Sequence, residues 1–170
     1  MGSPCVYVAS GLGFTEPGRH YAAAVLHPRL AAAGWGVLDP WHDEAGVVAA
    51  TLALPPGPGR AAALVRMSRH IGERNRRLLA AADAVLAHLD GADVDSGVAA
   101  EIGWAAARGV PVVGWRSDFR LAEHEASGVN VQVEDFVLVS GGRLVISLDE
   151  AITALDGLRP AGGRPVDGGP

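Results

Sequence analysis

AVLAHLDGADVDSGVAAEIGWAAARGVPVVGW, residues 84–115, is the stretch from which the fold is read. Ala84–His88 is a short apolar run of strand length, and Val110–Trp115 is apolar throughout. A strand with no polar alternation is buried on both faces, as in a parallel sheet covered by helices. Between the two runs lies DGADVDSG, a turn-forming loop, and then Val98–Arg108, small or apolar at almost every position. Asp95 or Ser96 is placed to accept the free N–H groups at the start of this helix, and Gly109 stops it. Strand, loop, helix and strand in 32 residues make one β-α-β unit, whose two strands run parallel.

The same alternation extends in both directions. Val6–Ala9 and Gly36–Leu38 read as strands and Arg19–Ala33 as a helix, with Gly34 as its C-cap. The segment 39–46 reads as a loop, and LPPGPGR, 54–60, as another, because Pro and Gly at that density break regular elements. Ala61–Ala82 reads as a long helix with arginines on one face. Beyond Trp115, residues 116–128 form a polar loop, Asn130–Val139 a helix, Leu144–Ser147 a strand and Asp149–Leu158 a closing helix. The expectation is a single doubly wound, five-stranded parallel α/β sheet, flavodoxin-like or Rossmann-like, with helices on both faces. It spans residues 1–158, and 159–170 form a flexible tail. Ligands of such sheets bind beyond the carboxyl ends of the strands, here the loops at 10–16, 39–46, 89–96 and 116–130.

Composition narrows the function. The chain has 170 residues, enough for one domain to bury a stable core, and is 49% hydrophobic and 19% charged. A net charge of −5 provides no basic footprint for nucleic acid or an anionic membrane. No apolar run reaches the roughly 18 residues of a membrane span, and MGSPCVYVASG lacks the pattern of a secretory leader, so a cytoplasmic location is expected. All 14 basic residues are arginine; without lysine there is neither a P-loop nor a Schiff base. The single cysteine, Cys5, reads as a core residue. The histidines lack metal-ligand spacing, so neither metal nor cofactor is expected.

Glu101 stands out, because a carboxylate in so apolar a helix is costly unless something requires it there. With Asp95 it brings two carboxylates to one end of the sheet. Glycosidic cleavage needs such a set: one carboxylate attacks the anomeric carbon while other groups hold the sugar. Gly97, Val98, Ala99 and Ala105 leave room for a ligand.

The pattern D-x-D-S-G-x-x-x-E-I-G-x-A-x-x-x-G-x-P-V-x-G, residues 93–114, resembles the core motif of the nucleoside 2-deoxyribosyltransferase family. VYVASGLGF (6–14), RNRRLLAAADAVLAHLD (74–90) and GVNVQV (128–133) resemble further segments of it, so the likeness covers most of 6–150. The resemblance implies that Glu101 is the nucleophile of a covalent deoxyribosyl intermediate. Asp95 then binds the sugar's hydroxyl end, and Tyr7 orients the nucleophile. Gly11 and Phe14 belong to the sugar-and-base loop, and Asp39, Trp41 and His42 to the loop that reaches the base. Ser96 and Gly97 belong to the core motif. Asn130 is donated to the neighbouring subunit's site, which implies a homo-oligomer, a dimer or higher. Asn75 falls where members carry Asp or Asn; an amide does not protonate the departing base, which leaves Asp93 or a water for that step. The substrates implied are nucleosides and nucleobases.

Two other readings fit the same residues. One is a nucleoside or nucleotide N-glycosidase, which releases the sugar to water. Relatives that act on 5′-monophosphates carry serine at the position of Asp95, so unphosphorylated nucleosides are expected here. The other is a non-catalytic nucleotide-binding domain.

Overall fold

The computed structural model describes residues 3–42 and 44–159. Five parallel strands, β1 (Cys5–Ala9), β2 (Gly36–Leu38), β3 (Ala84–His88), β4 (Val112–Trp115) and β5 (Arg143–Val145), lie in the order β2-β1-β3-β4-β5. The expected doubly wound sheet is therefore present. The chain leaves β1 to one side for β2 and to the other for β3, so the switch point lies between β1 and β3.

Successive strand residues point to opposite faces and build two cores. Val6, Val8, Ala84, Leu86 and Val113 pack with Leu26 and Leu30 of the first helical segment and Ala151 and Leu155 of the last. Tyr7, Ala9, Val85, Ala87 and Val112 face the other way, against Leu79, Val98, Ile102 and Val137. Tyr7 and Ile102 are fully buried, so the strand and helix that carry the central residues of the site are fixed by packing.

The helices are α1 (Glu16–Tyr21), α2 (His27–Ala32), α3 (Glu44–Leu52), α4 (Pro58–Ala81), α5 (Ser96–Ala107), α6 (Val131–Val139) and α7 (Leu148–Asp156). A π-helical turn, Ala22–Leu26, joins α1 to α2. Pro28 explains this turn: it has no N–H, and its ring clashes with the carbonyl four residues back in a regular helix.

Several boundaries differ from expectation. The first helix starts at Glu16, where the Thr15 side chain accepts the Gly18 N–H. Helix α3 lies where no helix was read and shortens the loop at 39–46, since VVAAT carries no polar alternation to mark a face. Residues 58–60 are helical rather than loop, because proline is suited to the first position of a helix, where its missing N–H costs nothing. β5 ends at Val145, as the Ser147 hydroxyl caps α7 by accepting from Glu150 N–H. Cys5 is only half buried; Asp83 pins its backbone N–H at 2.8 Å. Arg159 is described, with its guanidinium over the Trp35 ring at 4.9 Å, while 160–170 of the expected tail lie outside the described residues.

Candidate active site

A cavity of about 410 Å³ opens at the carboxyl ends of β1, β2 and β3. From β1 and its following loop come Ser10 and Phe14, from the β2 loop Pro40 and Trp41, from α3 Val48, and from α4 Ile71 and Asn75. The start of α5 supplies Asp95, Gly97, Val98 and Glu101. Two carboxylates thus share a mostly apolar chamber, a setting in which charge is felt strongly.

Glu101 accepts a hydrogen bond from the Tyr7 hydroxyl, O–H to Oε1, at 2.6 Å. The residues are 94 positions apart in sequence. Burial pushes the Glu101 carboxyl up to about 7; Asp95 and Asp39 push the same way, and the Tyr7 bond opposes them. Burial, then Glu101, hold the Tyr7 phenol far above its ordinary range. Tyr7 therefore remains the proton donor of the pair across physiological pH.

The positive end of α5 gives Glu101 little help in staying ionised. Asp95 is the N-cap and Ser96 the first helical residue, so Glu101 lies in the second turn. The dipole's influence is concentrated in the first turn, and desolvation prevails. Asp95 occupies the favoured place instead: its Oδ1 accepts from Gly97 N–H at 2.9 Å and Val98 N–H at 3.1 Å.

Trp41 and Phe14 form the aromatic part of the wall. Their rings meet edge to face, with centroids 4.5 Å apart. The Trp41 indole donates Nε1–H to the Ser10 carbonyl at 2.9 Å, and its backbone N–H donates to Asp39 Oδ1 at 2.8 Å. Gly13 is required beneath it, since a Cβ there would lie 1.9 Å from the indole. Arg74 of α4 donates to the carbonyls of Pro40 and His42, at 3.0 and 2.8 Å, and so ties the β2 loop to α4.

The other expected residues fall into four groups. Gly97 and Asn75 line the cavity, and Asn75 Oδ1 is buried without a hydrogen-bond partner among the described residues. Gly11 stands at the rim, where an added Cβ would touch the Phe14 ring and Asp95. Asp39 and His42 line smaller adjoining cavities, with Asp39 behind Trp41. Asp93 and Ser96 are exposed and do not line the chamber. Asn130 also lies outside it: its Oδ1 caps α6 and its Nδ2 donates to Glu123 Oε1 at 2.7 Å.

Val98 lines the cavity as expected, and Ser10 and Pro40 fall in two of the loops expected to bind the ligand without having been singled out; sequence reasoning missed Val48 and Ile71. Ile71 was within reach, because it precedes Asn75 by one helical turn and so shares its face. Val48 was not, since its helix was not read. Among the described residues no group of three His, Cys, Asp or Glu side chains is gathered to hold a metal, and no helix is long and apolar enough to cross a membrane.

A family model described as nucleoside 2-deoxyribosyltransferase matches residues 6–140. No protein of curated function matches the sequence. Three solved structures share the fold. A conserved protein from Enterococcus faecalis V583 is 20% identical, with a TM-score of 0.66 over 92% of this chain and 99% of its own. A 2-deoxyribosyltransferase from Leishmania mexicana is 18% identical, with a TM-score of 0.63 over 88% and 95%. Another 2-deoxyribosyltransferase, from Bacillus psychrosaccharolyticus, is 16% identical, with a TM-score of 0.61 over 90% and 94%.

Proposed function

The chain belongs to the nucleoside 2-deoxyribosyltransferase family, a family of enzymes, and on that premise we propose that it moves a 2-deoxyribosyl group between nucleobases through a covalent ester on Glu101. The observation that carries this reading is the 2.6 Å bond from Tyr7 to a half-buried Glu101 that lines the cavity at the switch point.

In the first step an oxygen of ionised Glu101 attacks the anomeric carbon of a 2′-deoxynucleoside. The bond from that carbon to the base nitrogen breaks, and its electron pair leaves with the base, which takes up a proton from water. The sugar is held as an ester. In the second step a nitrogen of another base attacks the same carbon, Glu101 departs as a carboxylate, and the proton on that nitrogen passes to water. Two inversions restore the original configuration. Tyr7 donates to one carboxylate oxygen, which fixes the rotamer of Glu101 and leaves Oε2 as the attacking atom. It also stabilises the negative charge that returns in the second step.

Asp95 reads the sugar's hydroxyls. Its Oδ1 is held by two backbone N–H groups, which leaves Oδ2 for a hydroxyl donor. Its charge disfavours a 5′-phosphate at that end. Trp41 and Phe14 offer apolar faces to the base, and Asn75 an amide to its edge. Asn130, outside its own chamber, completes the site of a neighbouring copy in a homo-oligomer.

The test is base exchange. The protein is incubated with a deoxynucleoside and a second base, and products are separated by chromatography. A new deoxynucleoside is expected, with a deoxyribosyl adduct on the Glu101 peptide. Release of free deoxyribose alone identifies a hydrolase and refutes transfer. Mixing Glu101→Gln with Asn130→Ala protein tests the shared site, since a mixed assembly regains one intact site from two inactive parents.

A further inference from the structure

We propose that His27 is a positioning residue that holds the base-facing wall of the cavity in place through Asp39 and Trp41. The inference rests on the reading that this chamber receives a nucleoside.

His27 Nε2 lies 2.8 Å from Asp39 Oδ2, a close polar contact in which the N–H is not aligned for a hydrogen bond. Asp39 is only 9% exposed, and a carboxylate so buried needs a compensating partner. Its other oxygen accepts the Trp41 backbone N–H at 2.8 Å, and its carbonyl accepts the His42 N–H at 3.2 Å. Trp41 then lays its indole over Gly13 and donates to the Ser10 carbonyl. A relay of contacts therefore runs from a helix on one face of the sheet to the wall of a cavity that opens on the other.

The local backbone places His27 for this contact. The π-helical turn Ala22–Leu26 ends at the residue before His27, and Pro28 follows. Inserting one wide turn rotates every later side chain about the helix axis, and such turns recur at functional sites. Here the rotation brings the imidazole to the end of β2. Arg74 holds the neighbouring carbonyls of Pro40 and His42. The loop is thus fastened twice: Arg74 ties its carbonyls, and His27 answers the charge of the carboxylate that anchors the Trp41 amide. Without His27, Asp39 loses a close partner and turns toward water, which loosens its hold on Trp41.

The variants His27→Ala and His27→Asn remove the contact, the second while keeping a polar side chain too short to reach. His27→Gln restores a donor near the position of Nε2. Two quantities are measured. One is the KM for the acceptor base against kcat. The other, independent of substrate, is hydrogen exchange of the Trp41 indole N–H, whose resonance is assigned by its loss in Trp41→Phe. In the Ala and Asn variants the base KM and the indole exchange rate are each expected to rise about tenfold, the scale of one lost contact to a buried charge, with kcat nearly unchanged. The Gln variant recovers most of both. Because His27 acts through Asp39, adding His27→Ala to Asp39→Asn changes neither quantity further. Indole exchange at the wild-type rate in a folded Ala or Asn variant overturns the proposal, as does simple additivity with Asp39→Asn. A wild-type protein without base exchange refutes the functional reading alone, since the indole measurement still decides the role of His27.

Discussion

Replacing Tyr7 by phenylalanine removes a single oxygen, but that oxygen donates the 2.6 Å bond that offsets part of the burial of Glu101. A hydrogen bond to a charged group contributes roughly 1.5–3 kcal/mol. At about 1.4 kcal/mol per pKa unit, its loss raises the Glu101 carboxyl by about one to two units. The direction follows from the physics: the bond favours the ionised form, so its removal favours the protonated one. From a starting point of about 7, the ionised fraction at pH 7 falls from about one half to roughly 1–10%. The nucleophile is the ionised form, so kcat/KM at pH 7 is expected to fall about 5- to 50-fold. The assay is initial-rate base exchange from pH 5 to 10. In wild-type protein the acid limb is expected near pH 7; in Tyr7→Phe it moves upward, and much of the lost rate returns at pH 9. An acid limb in the same place in both proteins, with a uniformly lower rate, refutes the argument that Tyr7 acts on the ionisation of Glu101.

Three further outcomes follow from the same geometry. The folded pKa of Glu101, about 7, lies above its unfolded value near 4.5; its contribution to stability is full below pH 4.5 and is lost as pH rises through 7. Glu101→Gln therefore abolishes turnover yet raises Tm at pH 8, by up to about 3 kcal/mol in stability, with little change at pH 5; an equal shift at both pH values contradicts the burial argument. Asp95→Ala removes the N-cap of α5 and is expected to cost about 1 kcal/mol, or roughly 2–4 °C in Tm. Asp95→Asn keeps the cap acceptor and Tm but loses the charge, so the acid limb of Glu101 moves down; calorimetry and the pH profile together separate the two roles. Gly13→Ala pushes a methyl into the Trp41 indole and is expected to cost about 1–3 kcal/mol, with weaker nucleoside binding by titration calorimetry. Unchanged affinity would show that the indole is not part of the binding wall.

Much of the fold was legible because it is written in local patterns. The apolar runs at 84–88 and 110–115 and the small-residue helix between them announced a buried parallel pair. Asp95 or Ser96 reads as a helix start because a side-chain acceptor followed by an apolar run has a direct meaning. Errors fell where two local rules conflict. Pro58 breaks a helix interior but suits a first turn, and only the packing of α4 on the sheet decides which applies. The segment Glu44–Leu52 has no clear polar face, so its periodicity was silent.

Glu101 was singled out from sequence alone, because an isolated acid in an apolar helix is visible wherever the helix lies. Its ionisation was not visible, since that depends on how many atoms surround the carboxyl and on a tyrosine 94 residues away. The apolar wall at Val48 and Ile71 and the contact of His27 with Asp39 likewise join segments whose spacing in the chain carries no record of their meeting. Hydrophobic period and capping chemistry act over one turn or one strand, so the sequence determined the five strands, the parallel sheet and the presence of an acid in the apolar helix α5. Burial, electrostatics and cavity shape sum over neighbours from every part of the chain, so only the tertiary structure decided how that acid is tuned and what surrounds it.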